Sequence, residues 1–138
     1  MNSVTWPQPR GDALHGEFYR HCAAHDLRFQ RCLACARWRH MPRNYCAHCG
    51  SGDWEWAQSS GQGVVRTWTV CHRAFHPGVV GDLPYVVALV EFEPGVRLIA
   101  RLDHIDADAV RLDLPVEIWF DEIAPGIVLP RVRPREAA

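Results

Sequence analysis

Two Cys-x-x-Cys pairs, Cys32/Cys35 and Cys46/Cys49, stand ten residues apart in CLACARWRHMPRNYCAHCG. Each such turn can present two thiolate sulfurs to one ion, and two knuckles on adjacent hairpins close a tetrahedral site. The spacing predicts one structural zinc ion held by Cys32, Cys35, Cys46 and Cys49. A rubredoxin-like iron site, buried thiols or a redox pair are the alternatives for the same residues. Four thiolates leave no open position for water or substrate, so such a site supplies folding free energy and no catalysis. His40 and His48 read as surface histidines or as neighbours supporting the ligands.

A second candidate is CHRAFHPG, residues 71–78. His72, Arg73, Phe75 and His76 fall at the end of a predicted strand. There His72 or His76 could act as a base and Arg73 could pair with a phosphate or carboxylate. Ordinary polar residues at a barrel rim fit the same letters, so the group supports binding and not catalysis. There is no G-x-S-x-G elbow and no H-E-x-x-H. All fifteen basic residues are Arg, which excludes a lysine Schiff base and a Walker-type phosphate loop. Cys22 and His25 read as a helical core thiol beside an exposed histidine, and Cys71 as a small buried residue in a strand.

The elements that must carry these residues follow from periodicity. Pro7 and Pro9 mark an arm that contains Trp6. A helix is expected from Asp12 as N-cap, with Leu14, Phe18 and Cys22 on one face and Gly16 as a weak point. DLRFQRC (26–32) alternates as a strand entering the first knuckle, with Leu27 and Phe29 on one side. After residue 60 five strands are expected: 64–73, 84–93, 96–103, 116–123 and 127–133. A short helical piece is expected at 105–110. Five strands are too few for a comfortable sandwich and suit a small Greek-key barrel of the OB type. The expected fold is mainly β: an arm and helix over 1–27, a rubredoxin-like zinc ribbon over 28–58, and a five-stranded OB-fold with a tail over 59–138. Trp54, Trp56 and Trp68 are expected to pack ribbon on barrel. Trp38, between Arg37 and Arg39 and near Arg43, is expected to be exposed on a docking surface. Arg131, Arg133 and Arg135 alternate in what reads as a solvated end, with contact to a partner or to CoA phosphates as the second reading.

The chain is 138 residues long with a formal net charge of −1, which gives no global reason to seek phosphate backbones. Residues 1–58 carry seven Arg and five acids, residues 59–138 eight Arg and eleven acids. No run of 18 apolar residues occurs and the first residues lack a signal-peptide pattern. A soluble cytoplasmic protein with no membrane contact is expected, a setting in which paired Cys favour metal over disulfides.

Several phrases in order carry a resemblance: FYRHCAAHDLRFQRCLAC, MPRNYCAHCGS, SGQGVVRTWTVCHRAF, PYVVALVEFEPGVRLIARL and VRLDLPVEIWFDEIAPGIVLPRVRP. Together they resemble small zinc-ribbon/OB-fold proteins that accompany thiolase-like enzymes of acyl-CoA metabolism, long counted as a domain of unknown function. The resemblance spans roughly Gly16 to Pro134. It implies an accessory subunit without independent activity, bound to a thiolase-fold or lipid-transfer-type partner such as a thiolase, steroid side-chain aldolase or acyltransferase. A heterotetramer and help in holding or channelling acyl-CoA are implied with it. The family usually has Gly after the second Cys of each knuckle; here Gly50 fits and Ala36 departs, which predicts backbone strain at Ala36. Two rival functions share parts of the pattern. A nucleic-acid binder would use Arg28, Arg31, Arg37, Arg39 and Arg43 with Trp38, but the acidic barrel lacks a basic face. An electron carrier would need iron in the ribbon.

Overall fold

The computed structural model describes residues 7–9 and 13–136. Trp6 and the expected cap Asp12 lie outside them. Helix α1 spans Ala13–Ala23 and buries Gly16, Phe18 and Cys22, while Leu14 is half-buried. Arg20 and His21 occupy the last turn, where cations favour the negative helix end. His25 then takes φ +57° and turns the chain into the ribbon.

The ribbon is a three-stranded antiparallel sheet of order β2–β1–β3, formed by Arg28–Cys32 (β1), Trp38–Arg39 (β2) and Trp54–Gln58 (β3). Strand β1 is central, pairing Gln30 with Arg39 on one side and with Trp56 on the other. The expected alternation holds on one face, where Leu27 and Phe29 are buried. On the other face the structure departs from it, because Gln30 is 0% exposed. The 40–43 segment folds over that face, and Gln30 satisfies it: Oε1 accepts from the Arg43 amide (2.8 Å) and Arg39 Nε (2.9 Å), while Nε2 donates to the Arg43 carbonyl (3.0 Å). A buried amide is tolerated when its donors and acceptor are used in this way.

Strands β4 (Gln62–Cys71), β5 (Tyr85–Phe92), β6 (Val96–Leu102), β7 (Pro115–Ala124) and β8 (Ile127–Pro134) close into a barrel of order β4–β5–β6–β8–β7. This is the expected OB-type architecture. Burial alternates along β5 and, for the most part, along β6, the pattern of strands with one face inward. Strand β4 must serve two neighbours, β5 and β7, so it bends. A register shift at Arg66 supplies the bend. Gly63 lets the strands approach: a Cβ there would meet the Glu91 carbonyl oxygen at 2.6 Å. The 105–110 segment holds only a three-residue 3-10 turn, Ala107–Ala109.

Closure is weakest between β6 and β8, which are parallel and share a single bridging pair, Leu102–Val132. Helix α1 lies against β8 beside this seam. The core is continuous from helix to ribbon to barrel: Phe18 stacks on Phe29 at 6.3 Å, and Phe29 meets Phe92 at 5.8 Å. Trp38, Trp56 and Trp68 pack against the same core, half-buried. Trp38 is therefore not the exposed anchor expected, and Trp54 packs edge-on against Trp56 at 5.2 Å. His40 is also drawn inward, 4.6 Å from the Phe18 ring and 5.3 Å from Phe29. Burial in this apolar cleft, with His15 adding to it, pulls its pKa down to about 4.

Candidate metal centre and barrel rim

The two knuckles fold alike. In the first, the Ala36 amide donates to the Cys32 carbonyl (2.9 Å) and the Cys32 amide to the Arg37 carbonyl (2.8 Å). In the second, Gly50 donates to Cys46 (2.8 Å) and Cys46 to Ser51 (2.9 Å). The residue after the second Cys must take a left-handed backbone in each. Gly50 does so at φ +78° and Ala36 at φ +65°, so the predicted strain falls where Gly is missing.

This geometry gathers the four sulfurs of Cys32, Cys35, Cys46 and Cys49 within 4.8 Å of one another. Cys32 and Cys49 Sγ are 3.6 Å apart, as are Cys35 and Cys46 Sγ. Around a tetrahedral ion with metal–sulfur bonds of about 2.3 Å, sulfurs sit about 3.8 Å apart, so the set fits such an ion. Backbone amides aim at Cys46 and Cys32 and favour their thiolates. Those of Cys49 and His48 bring Cys46 down to about 6, and those of Cys35 and Ala34 lower Cys32. The Ser51 amide lowers Cys49, but against it burial and the neighbouring sulfurs push Cys49 up to about 11. Outside the cluster, burial and then Asp26 push Cys22 up to about 12, which leaves it an unreactive core thiol. Cys71 is half-buried and not the buried residue expected.

Around the knuckles the expected docking set divides. Arg37 and Arg43 are exposed. Arg39 is engaged by Gln30 and the Arg43 carbonyl, and Trp38 faces the core with the Arg31 guanidinium 5.8 Å from its ring centroid. Leu33 and Tyr45, flanking ligand cysteines, are exposed apolar residues that sequence reasoning passed over. Their signal was available: a residue beside a metal-binding Cys on a knuckle tip has no core within reach. His48 is exposed, as expected.

The rim residues follow β4 on the connection to β5. His72 and Arg73 are exposed, and Arg73 lies over the Phe75 ring at 5.6 Å. His76 holds the loop together, since its Nδ1 accepts from the Gly78 amide at 2.9 Å and caps the 3-10 turn Pro77–Asp82. The four side chains share one loop and do not form an acid–base constellation.

The expected solvated end is instead part of the barrel. Arg131 is 5% exposed on β8, with Nε 2.8 Å from Asp121 and Nη1 3.8 Å from Asp103. Asp103 continues to Arg101 (2.7 Å) and Arg101 to Asp82 (3.7 Å). Burial lowers the Arg131 pKa while Asp121 and then Asp103 act to keep it charged. Arg133 faces out towards Glu117 at 3.5 Å.

A closed four-thiolate ribbon packed through a shared core onto a five-stranded OB barrel defines a zinc-ribbon/OB-fold protein. Residues 20–55 match a family profile described as the ChsH2 rubredoxin-like zinc ribbon domain, and residues 56–121 match the ChsH2 C-terminal OB-fold domain. The chain belongs to this ChsH2 (DUF35) family. A probable enoyl-CoA hydratase alpha subunit of Thermomonospora curvata is 37% identical over 93% of the chain, which spans only 40% of that protein's length. A DUF35 domain-containing scaffold protein of Pyrococcus furiosus is 34% identical over 63% of the chain and 66% of its own length. Among solved structures, a chain of the Ltp2–ChsH2(DUF35) aldolase superposes with a TM-score of 0.79 at 38% identity, covering 86% of this chain and 92% of that one.

Proposed function

We propose that the chain is an accessory subunit that binds a thiolase-fold enzyme and helps it hold its acyl-CoA substrate, with one structural zinc ion in the ribbon. The observation that carries this reading is the 38% identical chain of a two-component aldolase, matched over 92% of its length. A relative named as a scaffold protein supports a non-catalytic role. A relative named for an enoyl-CoA thioester supports the substrate class. The matched region is less than half of that hydratase subunit, so hydratase activity is not carried over to this chain.

In this assembly the reacting groups belong to the partner. The ribbon positions Arg37 and Arg43, with Leu33 and Tyr45, for docking. The rim contributes His72 and Arg73 where the partner presents the CoA thioester, Arg73 being suited to a phosphate. Thiolase-fold partners are usually dimers, which makes a two-plus-two heterotetramer the expected stoichiometry. Zinc is favoured over iron because residues 20–55 match a family profile described as a zinc ribbon domain.

Co-expression with the thiolase-fold protein from the same gene cluster, with a tag on this chain alone, tests the reading. A stoichiometric, colourless complex containing one zinc per chain is expected. Recovery of the tagged chain alone would overturn the subunit assignment, and a coloured iron protein would overturn the metal assignment.

A further inference from the structure

The connection from β4 to β5 carries a combination that the barrel does not need for its own stability. Phe75 is 83% exposed and Val80 61% exposed, a large apolar surface to leave in water. The loop holding them is nonetheless ordered from within. Val79 is buried at 3% and anchors the 3-10 turn, while His76 caps that turn through Gly78. Asp82, at its end, ties to Arg101 and so to the buried chain of charges behind the rim. Anchored inward and apolar outward, the loop presents Phe75 on a fixed base, so little conformational freedom is lost when it is covered.

Its electrostatics say what covers it. On the connection from residue 72 to 84 the ionisable groups are His72, Arg73, His76 and one carboxylate, Asp82, which faces Arg101. Arg73 already lies over the Phe75 ring. An aromatic knob edged by a guanidinium is the type of residue pair that dominates protein interfaces. A nucleic-acid platform would instead need a row of aromatics along a basic groove. Here Phe75 stands on a loop, and barrel-face arginines such as Arg66 and Arg97 are matched to carboxylates.

We infer that the 72–80 loop is a docking knob for the thiolase-fold partner, with Phe75 and Val80 entering an apolar recess edged by carboxylates that meet Arg73. This rests on the subunit reading above and adds to it a second contact surface, distinct from the ribbon knuckles. With Arg73 taken by the partner's carboxylates, His72 is left as the rim group for a CoA contact on the same face of the complex.

Calorimetric titration of the partner from the same gene cluster with wild type, Phe75→Ala and Leu112→Ala tests it. Leu112 is a 63% exposed apolar residue outside the loop, and neither substitution removes a core contact. Phe75→Ala should weaken binding by about ten-fold or more, with Leu112→Ala within about two-fold of wild type, on the order of experimental scatter. Wild-type binding with Phe75→Ala unchanged would overturn the knob and leave the subunit reading standing. Equal weakening by both substitutions, or wild-type self-association that Phe75→Ala abolishes, would also overturn it. Absence of any wild-type binding would sink the subunit reading and the knob with it.

Discussion

At the residue scale, two residues are held in states that a free chain in water disfavours. Ala36 sits at φ +65° because the first knuckle needs the turn that Gly50 makes without a Cβ. A left-handed alanine costs about 1–2 kcal/mol, part of which a glycine returns through its freer unfolded chain. Ala36→Gly is therefore expected to raise the stability of the metal-loaded protein by about 0.5–1 kcal/mol, read as a higher denaturation midpoint at unchanged slope. An unchanged or lower midpoint would mean that the knuckle carries no strain there. His40 is the second case. Unfolded, it takes up a proton near 6.5; folded between Phe18 and Phe29, it stays neutral down to about 4. The unfolded chain thus binds more protons between these values, so stability is full above 6.5, falls as the pH drops through the window, and levels off below 4. The fall is on the order of 3 kcal/mol. Metal-thiolate protonation adds to acid loss in every variant, so the measurement is the difference between wild type and His40→Phe. The variant should lose less stability between about pH 7 and pH 5, and parallel curves would assign the acid sensitivity to the cysteines alone.

At the scale of elements, the barrel closes through charge where backbone pairing runs short. Strands β6 and β8 share one bridging pair. Arg131 of β8 reaches Asp103 just past β6 and Asp121 on β7. Removing the buried cation takes the 2.8 Å partner from Asp121 and leaves Asp103 to Arg101 alone, so Arg131→Ala should cost about 2 kcal/mol or more. Arg133, two residues on and facing water opposite Glu117, should cost well under about 1 kcal/mol when changed to Ala. Thermal denaturation of the two variants separates them, and equal small losses would show the seam to be solvated. The ribbon is built the opposite way. Its strands are short, β2 having two residues, and in the proposed zinc-loaded form the knuckles are cross-linked through the ion. Cys46→Ser should give insoluble protein, or soluble protein that no longer binds the partner. Retention of full partner binding with the metal gone would refute the scaffold role of the ribbon.

At the scale of the whole molecule, legibility in the sequence followed the strength of local pattern. Paired Cys-x-x-Cys turns and the largely apolar run YVVALVEF are short-range signals, and they located the sulfur cluster and a barrel strand. The misses were residues whose surroundings come from distant chain. Gln30 and Arg131 are polar letters in alternating strands, and only the 40–43 cover and the β6–β8 seam bury them. Trp38 looked exposed between two arginines, yet the shared core behind β2 claims it. Charge pairing in the fold supports the proposed protein partner over nucleic acid. Read along the chain, the ribbon arginines suggest a basic clip; in the fold, Arg28 meets Asp26 and Arg31 meets Glu55. On the barrel, Arg66 is shared between Glu91 and Asp113, and Arg97 also meets Glu91. A phosphate backbone would have to displace these carboxylates, and binding driven by counterion release needs cations that are free to exchange partners. Mixed-sequence single-stranded DNA and RNA should therefore give no retarded band with this protein in a low-salt gel at concentrations up to about 10 μM, tighter than the weak end of non-specific binding. A salt-sensitive retarded band, lost on changing Arg37 and Arg43 to Ala, would instead make the ribbon tip a nucleic-acid surface and require the subunit reading to be revised.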